Sequence, residues 1–312
     1  MDPALERLGG GTGCTPTAAA CPDQLRFQRL ASELASATAL PAAGPAATIG
    51  AAAIGLTFGT TITDIDQAGE HWRRGSRGSS PDGLASGRNA SPMPVLVWNR
   101  VEARKGLPFG FELGIDLAQG LNTSFWTPGL WLKWALFEGF DRRYGALPDL
   151  ALRAGWSRSV GSSQLAVQVG VFDLALSRSL VVAHTWSLTP FVDAQVLLTD
   201  VDSSSIDLTP AIDAFGACAP DPASPPEPGV APSGEACSGT EGGQDFASGV
   251  AFDDLTQVRP RLAGGAELRW AFWRTRLSLH YDLLAPELPA ASGGDASGLR
   301  QLAFDVTLGA VL

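Results

Sequence analysis

His280 and Asp282 stand two positions apart, the spacing that places both on one face of an extended strand. An imidazole beside a carboxylate can act as a general base with its orienting acid. That chemistry also needs a nucleophile or a second acidic pair, and neither accompanies these residues in a recognisable spacing. His and Asp on an enclosed face serve equally well in ordinary ion networks, so no enzymatic activity is expected. The cysteines form two close pairs, Cys14 with Cys21 and Cys218 with Cys237. The only histidines, His71, His184 and His280, lie away from both pairs, and the tight CxxC spacing of a zinc site is missing. Two local disulfides formed in an oxidising compartment are the expected reading, with no metal and no cofactor. The acids Asp200, Asp202, Asp207 and Asp213 lack the regular ligand spacing of a calcium loop.

Most of the remaining charge sits at alternate positions between apolar residues, which requires strands to position it. Leu302, Phe304, Val306, Leu308, Ala310 and Leu312 alternate with Ala303, Asp305, Thr307 and Gly309. Leu277, Leu279, Tyr281 and Leu283 alternate with Arg276, Ser278, His280 and Asp282. The pattern returns at Phe109, Phe111, Leu113, Ile115 and Leu117, opposed by Glu112 and Asp116. It returns again at Leu130, Leu132, Trp134 and Leu136, at Leu150, Leu152, Ala154 and Trp156, and at Leu165, Val167, Val169 and Val171. Weaker copies lie near residues 47–64, 94–104, 187–200 and 257–271. The whole reads as about ten strands, with 8–12 as the range.

Alternation alone also fits a soluble sandwich. Three features favour a transmembrane barrel. The strands run to about 10–14 residues, longer than those of globular sheets and right for a tilted span. Short turns near Arg104–Leu107, Asp141–Leu147 and Ala271–Arg274 fall opposite the long polar connections 65–93, 201–256 and 286–297. Trp98, Trp126, Trp186, Trp270 and Trp273 sit near strand ends, where interfacial girdles lie. The expected fold is therefore all-β, an antiparallel up-and-down barrel. Its apolar sets face lipid. Its lumen then holds Arg100, Glu102, Arg104, Glu112, Asp116, Lys133, Arg153, Arg259, Arg261, Glu267, Arg269, Arg276, His280, Asp282 and Asp305. Ten strands enclose a lumen too narrow for a wide aqueous channel, and charges of both signs confined there should pair.

Composition agrees. A mean hydropathy of +0.09 is too polar for a bundle of membrane helices. A content of 36 Gly, 9 Trp and 17% charged residues is unusual for a soluble enzyme. The net charge of −10 argues against nucleic acid as a partner. The uncharged stretch from Ala42 to Gly59 is rich in Ala and Gly, which contribute little to membrane insertion, so it is not read as a spanning helix.

Residues 1–22 read as a flexible N-terminal segment and 23–46 as an amphipathic helix with a linker, leaving 47–312 for the barrel. Phe27, Leu30, Ala31 and Leu34 share one helix face, and Pro22 is a good helix starter. This helix has three readings: a plug in the lumen, an element on the periplasmic mouth, or a binding element for a partner. The first twenty residues lack the apolar core and basic start of a signal peptide. The expectation is that the leader is already removed or that the gene start is misplaced.

The runs KGLPFGFELGIDL (105–117), LKWALFEGF (132–140), PDLALRAGWSRSVGSSQL (148–165) and SLTPFVDAQ (187–195), with FQRLASEL (27–34) ahead of them, carry a family likeness. Together they resemble an uncharacterised family of outer-membrane barrels from delta-group proteobacteria, myxobacteria among them. The resemblance covers roughly residues 23–200 and the C-terminal hairpin, leaves out the long loops, and implies a barrel without specifying its role. Outer-membrane barrels usually end in an aromatic residue, whereas this chain ends in Leu312. A looser likeness to fatty-acid-transporting porins rests on barrel architecture and an N-terminal segment able to enter the lumen. The localisation implied is the bacterial outer membrane. The partners implied are outer-membrane lipid and the barrel assembly machinery, and the sequence leaves the oligomeric state open. The leading functional expectation is a narrow or gated passive transporter of small or apolar solutes. The alternative is a structural or surface-interaction barrel with a closed, salt-bridged lumen.

Overall fold

The computed structural model describes residues 2–9, 22–78, 89–138, 147–183, 185–207, 218–219, 235–236, 249–289 and 298–312. Cys14, Cys21 and Cys237 lie outside them, and of Cys218 only the backbone is described.

Ten antiparallel strands form the wall: β1 (Ile54–Asp64), β2 (Val95–Gly106), β3 (Phe111–Gly120), β4 (Trp126–Phe137) and β5 (Asp149–Arg158), then β6 (Leu165–Ser177), β7 (Trp186–Ser203), β8 (Leu255–Trp270), β9 (Trp273–Asp282) and β10 (Leu302–Val311). Each pairs with its chain neighbours, and β10 pairs with β1 from Gly55↔Val311 to Thr63↔Ala303, which closes the barrel. Closure leaves no sheet edge, as a bilayer requires. No helix among the described residues is long and apolar enough to cross a membrane.

The strand ends define two mouths. At one, the connections are short: Pro108–Gly110 joins β2 to β3, residues 271–272 join β8 to β9, and residues 138–148 join β4 to β5. A small strand, Leu180–Ala183, folds back along β7 at this mouth. At the other mouth lie the three long connections, now bounded as 65–94, 204–254 and 283–301, together with two short ones, 121–125 and 159–164. The apolar sets of β1, β3, β9 and β10 point outward as the alternation requires, with Phe58, Ile115, Leu279 and Leu308 all exposed to the lipid side. Trp186 and Trp270 stack outside the short-turn mouth with ring centroids 5.5 Å apart, near Trp273.

Five expectations are corrected. Leu165, Val167, Val169 and Val171 face inward and are buried, because the long-loop end of β6 lies beside a helix inside the barrel. Their outward neighbours there, Gln168 with Arg158 and Asp200 beside it, are polar. Trp98 also points inward and is buried, so it is not a girdle residue. A bulge between Ala135 and Phe137 replaces Leu136 by Phe137 on the outer face, and Phe109 sits in the turn before β3 at φ 61°. Finally, β1 begins at Ile54 rather than near residue 47, because the chain before it is inside the barrel.

That internal chain starts at the long-loop mouth. The Ala4 N–H donates to Gly75 O (2.8 Å), Asp2 accepts from Ser124 N–H (2.6 Å), and Gln164 donates to Glu6 (2.7 Å). Helix α1 (Gln24–Thr38) follows, capped by Asp23, whose carboxylate accepts from Arg26 N–H at 3.0 Å. From Phe27 to Thr38 every described side chain except that of Arg29 is buried, polar ones included, because the barrel surrounds the helix. Residues 39–50 then run down the lumen to the short-turn mouth, where Ala52 N–H meets Gly106 O (3.2 Å) and β1 begins. The structure places α1 inside the barrel, in contact with β1, β2, β6, β7 and β8.

Candidate functional site

The lumen is two sites stacked on the barrel axis. In its upper part α1 presents Phe27, Leu30, Ala31, Leu34 and Ala35 to a wall of inward apolar residues, including Val167, Val169, Leu197, Val201 and Leu255. Trp98, Phe125, Trp72 and Phe252 close the rim, with Phe252 stacked on Phe27 at 4.7 Å. The other face of α1 is polar but equally buried. Ser32 donates to Gln257 (2.8 Å), Arg259 donates to Ser32 O (2.7 Å), and Arg261 donates to the Ser36 hydroxyl. Glu33 accepts from Trp72 Nε1 (2.7 Å) and Asp66 N–H (3.0 Å) and meets His71 Nε2 at 2.9 Å. The loop after β1, with its short helix α2 (Glu70–Gly75), is thereby clasped to the plug.

Below α1 the lumen holds charge. Arg100 bonds Asp116 at 2.7 Å. Glu112 lies between Arg104 (3.7 Å) and Lys133 (3.4 Å), and Glu102 lies 4.0 Å from Arg104. Arg153 pairs with Asp173 and stands over the Trp131 ring, 5.9 Å from its centroid. Arg276 lies 4.0 Å from Asp305, and Arg274 pairs with Glu267 at 3.1 Å. Nearer the helix, Arg259 and Arg261 (2.9 Å) both bond Asp282. Of the inward charges read from the sequence, Arg269 alone is exposed, at the short-turn mouth beside Glu267 and Arg274. His280 and Asp282 do not form a dyad. Asp282 is held by the two arginines and by Gln301 N–H (3.1 Å), while His280 Nε2 meets Ser278 Oγ at 3.1 Å.

Asp173, Asp193, Gln195, Arg274 and Glu33 complete this interior and were not singled out in the sequence. For Asp173 the signal existed: it continues the inward register of Val169 and Val171, with a switch from carbon to charge in mid-strand. Glu33 gives no such signal, since on a helix it looks like an ordinary solvated acid.

The polar groups of the lower lumen exceed their protein partners. Asp173 Oδ1, Asp193 Oδ1, both amide atoms of Gln195, Ser157 Oγ and His280 Nδ1 are buried with no partner among the described residues. Groups of this kind take ordered water, and the upper lumen has its own at Trp98 Nε1, Thr199 Oγ1, Arg259 Nε and Gln301 Oε1. The lower lumen opens at the short-turn mouth into a cavity of about 330 Å³ bordered by Thr48, Asp149, Thr189, Glu267 and Arg274. Among the described residues no group of three or more His, Cys, Asp or Glu forms a metal site.

Neither a family description nor a curated protein matches the sequence. The solved structures it resembles are outer-membrane barrels. The KdgM porin in complex with disordered oligogalacturonate aligns over 82% of this chain and 98% of its own, at 8% identity and a TM-score of 0.30. The translocator domain of autotransporter NalP from Neisseria meningitidis aligns over 92% and 94%, at 10% identity and a TM-score of 0.35. Ail, the attachment invasion locus protein of Yersinia pestis, aligns over 84% and 99%, at 6% identity and a TM-score of 0.28. The likeness extends to barrel architecture and no further.

Proposed function

We propose that the protein is a bacterial outer-membrane barrel kept closed by its own N-terminal segment, with that segment presented on the cell surface. The observation that carries this reading is the path of the chain: residues 2–9 pack among the long connections, α1 fills the upper lumen, and residues 39–50 descend to the short turns. In outer-membrane barrels the long loops are external and the short turns periplasmic. The N-terminal residues, clasped to residues 75–77, 124 and 164, then form part of an external cap. The delta-group family resemblance agrees with an outer-membrane barrel and says nothing of the cap. This is the structural or surface-interaction reading of the sequence, with outer-membrane lipid and the assembly machinery as partners.

A second reading, gated passage of a small solute, is favoured by the unpartnered polar groups of the lower lumen and its cavity at the short-turn mouth. In it, α1 is the gate. Two measurements separate the readings. An epitope tag placed before Asp2 should be reached by antibody on intact cells, and purified protein in planar bilayers should be silent. A tag reached only after permeabilisation would sink the display reading. Steady conductance from the native protein would overturn the closed barrel altogether.

A further inference from the structure

Residues 39–50 carry no charge, yet they lie in the most charged part of the molecule. The wall holds them by their main chain. Arg100 donates to Ala39 O (2.6 Å), Arg153 to Pro41 O, and Lys133 to Pro45 O (3.3 Å) and Ala47 O (3.2 Å). In the other direction, the N–H of Gly44 donates to Asp193 (3.0 Å), that of Ala46 to Ser177 Oγ (2.9 Å), and that of Ile49 to Glu112 (2.8 Å). Cations thus meet carbonyls and acids meet amides along one length of chain, an arrangement of largely charge-assisted bonds that reads backbone rather than side chain.

Side chains are selected by shape at two places. Leu40 is buried in a notch made by two wall glycines: a Cβ on Gly155 would come within 2.6 Å of Leu40 Cδ1, and one on Gly129 within 2.9 Å of Cδ2. Below it, Ala43 and Ala46 pack against wall alanines 135, 151 and 175. Gly44 makes the bend between them at φ 75°, with Arg276 Nη1 lying 2.6 Å from where its Cβ would be. The unpartnered Asp193 Oδ1, Asp173 Oδ1 and Gln195 amide give the wall more hydrogen-bonding capacity than this one segment uses. The lower end of the segment, at Pro45, Ala47 and Thr48, borders the cavity at the short-turn mouth.

We infer that the lower lumen is a peptide-binding groove for an uncharged segment, bent at a glycine, with one apolar anchor followed by small residues, and that residues 39–50 are its resident ligand. A peptide of the same class, arriving from the short-turn side, binds the groove once the resident segment is displaced. The inference rests on the plugged-barrel reading and adds the chemistry of what the plug's lower half recognises.

The test uses the full-length protein refolded in detergent. Leu40→Asp combined with Gly44→Val puts a carboxylate in the apolar notch and a branched side chain at the bend, so residues 40–46 give up those contacts while the chain still joins α1 to β1. A fluorescent synthetic peptide with the sequence of residues 39–50 should then bind saturably. The same peptide carrying Leu40→Asp should bind about tenfold or more weakly, the effect of losing one buried leucine. Native protein, its groove filled, should bind either peptide poorly. A folded, heat-modifiable variant that binds neither peptide, or both alike, overturns the groove.

Gly155→Leu provides a second test should the double variant fail to fold. It fills the notch from the barrel side and should expose residues 39–50 to protease, and continued protection would overturn the assignment of Leu40 as anchor. Both outcomes are independent of surface display. A tag hidden on intact cells with peptide binding preserved would remove the display reading and leave the groove standing.

Discussion

The two halves of the lumen enclose the same stretch of chain by opposite means. Around α1 the wall supplies carbon, with Val167, Val169, Leu197 and Leu255 against Phe27, Leu30 and Leu34. Around residues 39–50 it supplies Arg100, Arg153, Lys133, Asp193 and Glu112. The difference follows from what lies outside the wall. At the long-loop end the outer face carries Arg158, Gln168, Asp200 and Thr256, so the apolar residues turn inward as in a water-soluble barrel. Lower down, lipid takes the apolar face and the lumen receives the charge. The helix is thus seated by the hydrophobic effect, about 1.5–3 kcal/mol for each large side chain buried. The linker is tethered by polar bonds whose net worth is smaller, because water and neighbouring charges compete for the same groups. On the proposed reading the upper half is a seal and the lower half a guide.

The contrast would break most visibly at Leu34. Leu34→Asp places an unpaired carboxylate in the apolar half, at a cost of about 3–5 kcal/mol. Planar bilayers should record a change from silence to persistent open-channel steps, and continued silence would mean that α1 is not the seal. Glu33→Ala should act next most strongly. It leaves buried His71 and Trp72 without their acceptor, at about 1–3 kcal/mol per orphaned group, and should make residues 65–78 sensitive to limited proteolysis with brief, intermittent openings.

Changes in the lower half should loosen without opening. Ser177→Ala removes the acceptor of Ala46 N–H and should cost about 1 kcal/mol, seen as faster hydrogen exchange at Ala46 in a barrel that stays closed. Thr48→Ala removes only a local bond to Gly50 N–H, 3.3 Å long. The melting temperature should then shift by no more than about 0.5 kcal/mol implies. If either lower-half change opens the channel, the division into seal and guide fails.

Much of the wall was legible before any coordinates. Period-2 alternation places Leu302 to Leu308 outward and Asp305 inward because successive strand residues must point to opposite faces. The same rule misassigned Leu165 to Val171, since alternation reports which residues share a face and not which medium that face meets. Trp98 was misplaced for the same reason: an aromatic near a strand end suits a lipid interface and a helix-filled lumen equally well. The helix was legible from Phe27, Leu30 and Leu34, but its amphipathic pattern could not say that Ser32, Ser36 and Glu33 answer to Arg259, Arg261 and His71 rather than to water.

The sequence by itself determined the strands, their faces, the sidedness of the long connections and the presence of paired charge inside, because each depends on local periodicity or composition. Only the tertiary structure decided that residues 24–50 occupy the lumen, that they enter from the long-loop mouth, and that an uncharged linker is what the charged wall holds. The physical reason lies in the contacts themselves. They join Gly44 to Asp193, Ala39 to Arg100 and Ser32 to Gln257, partners far apart along the chain, and on the linker side they use main-chain atoms that every sequence possesses.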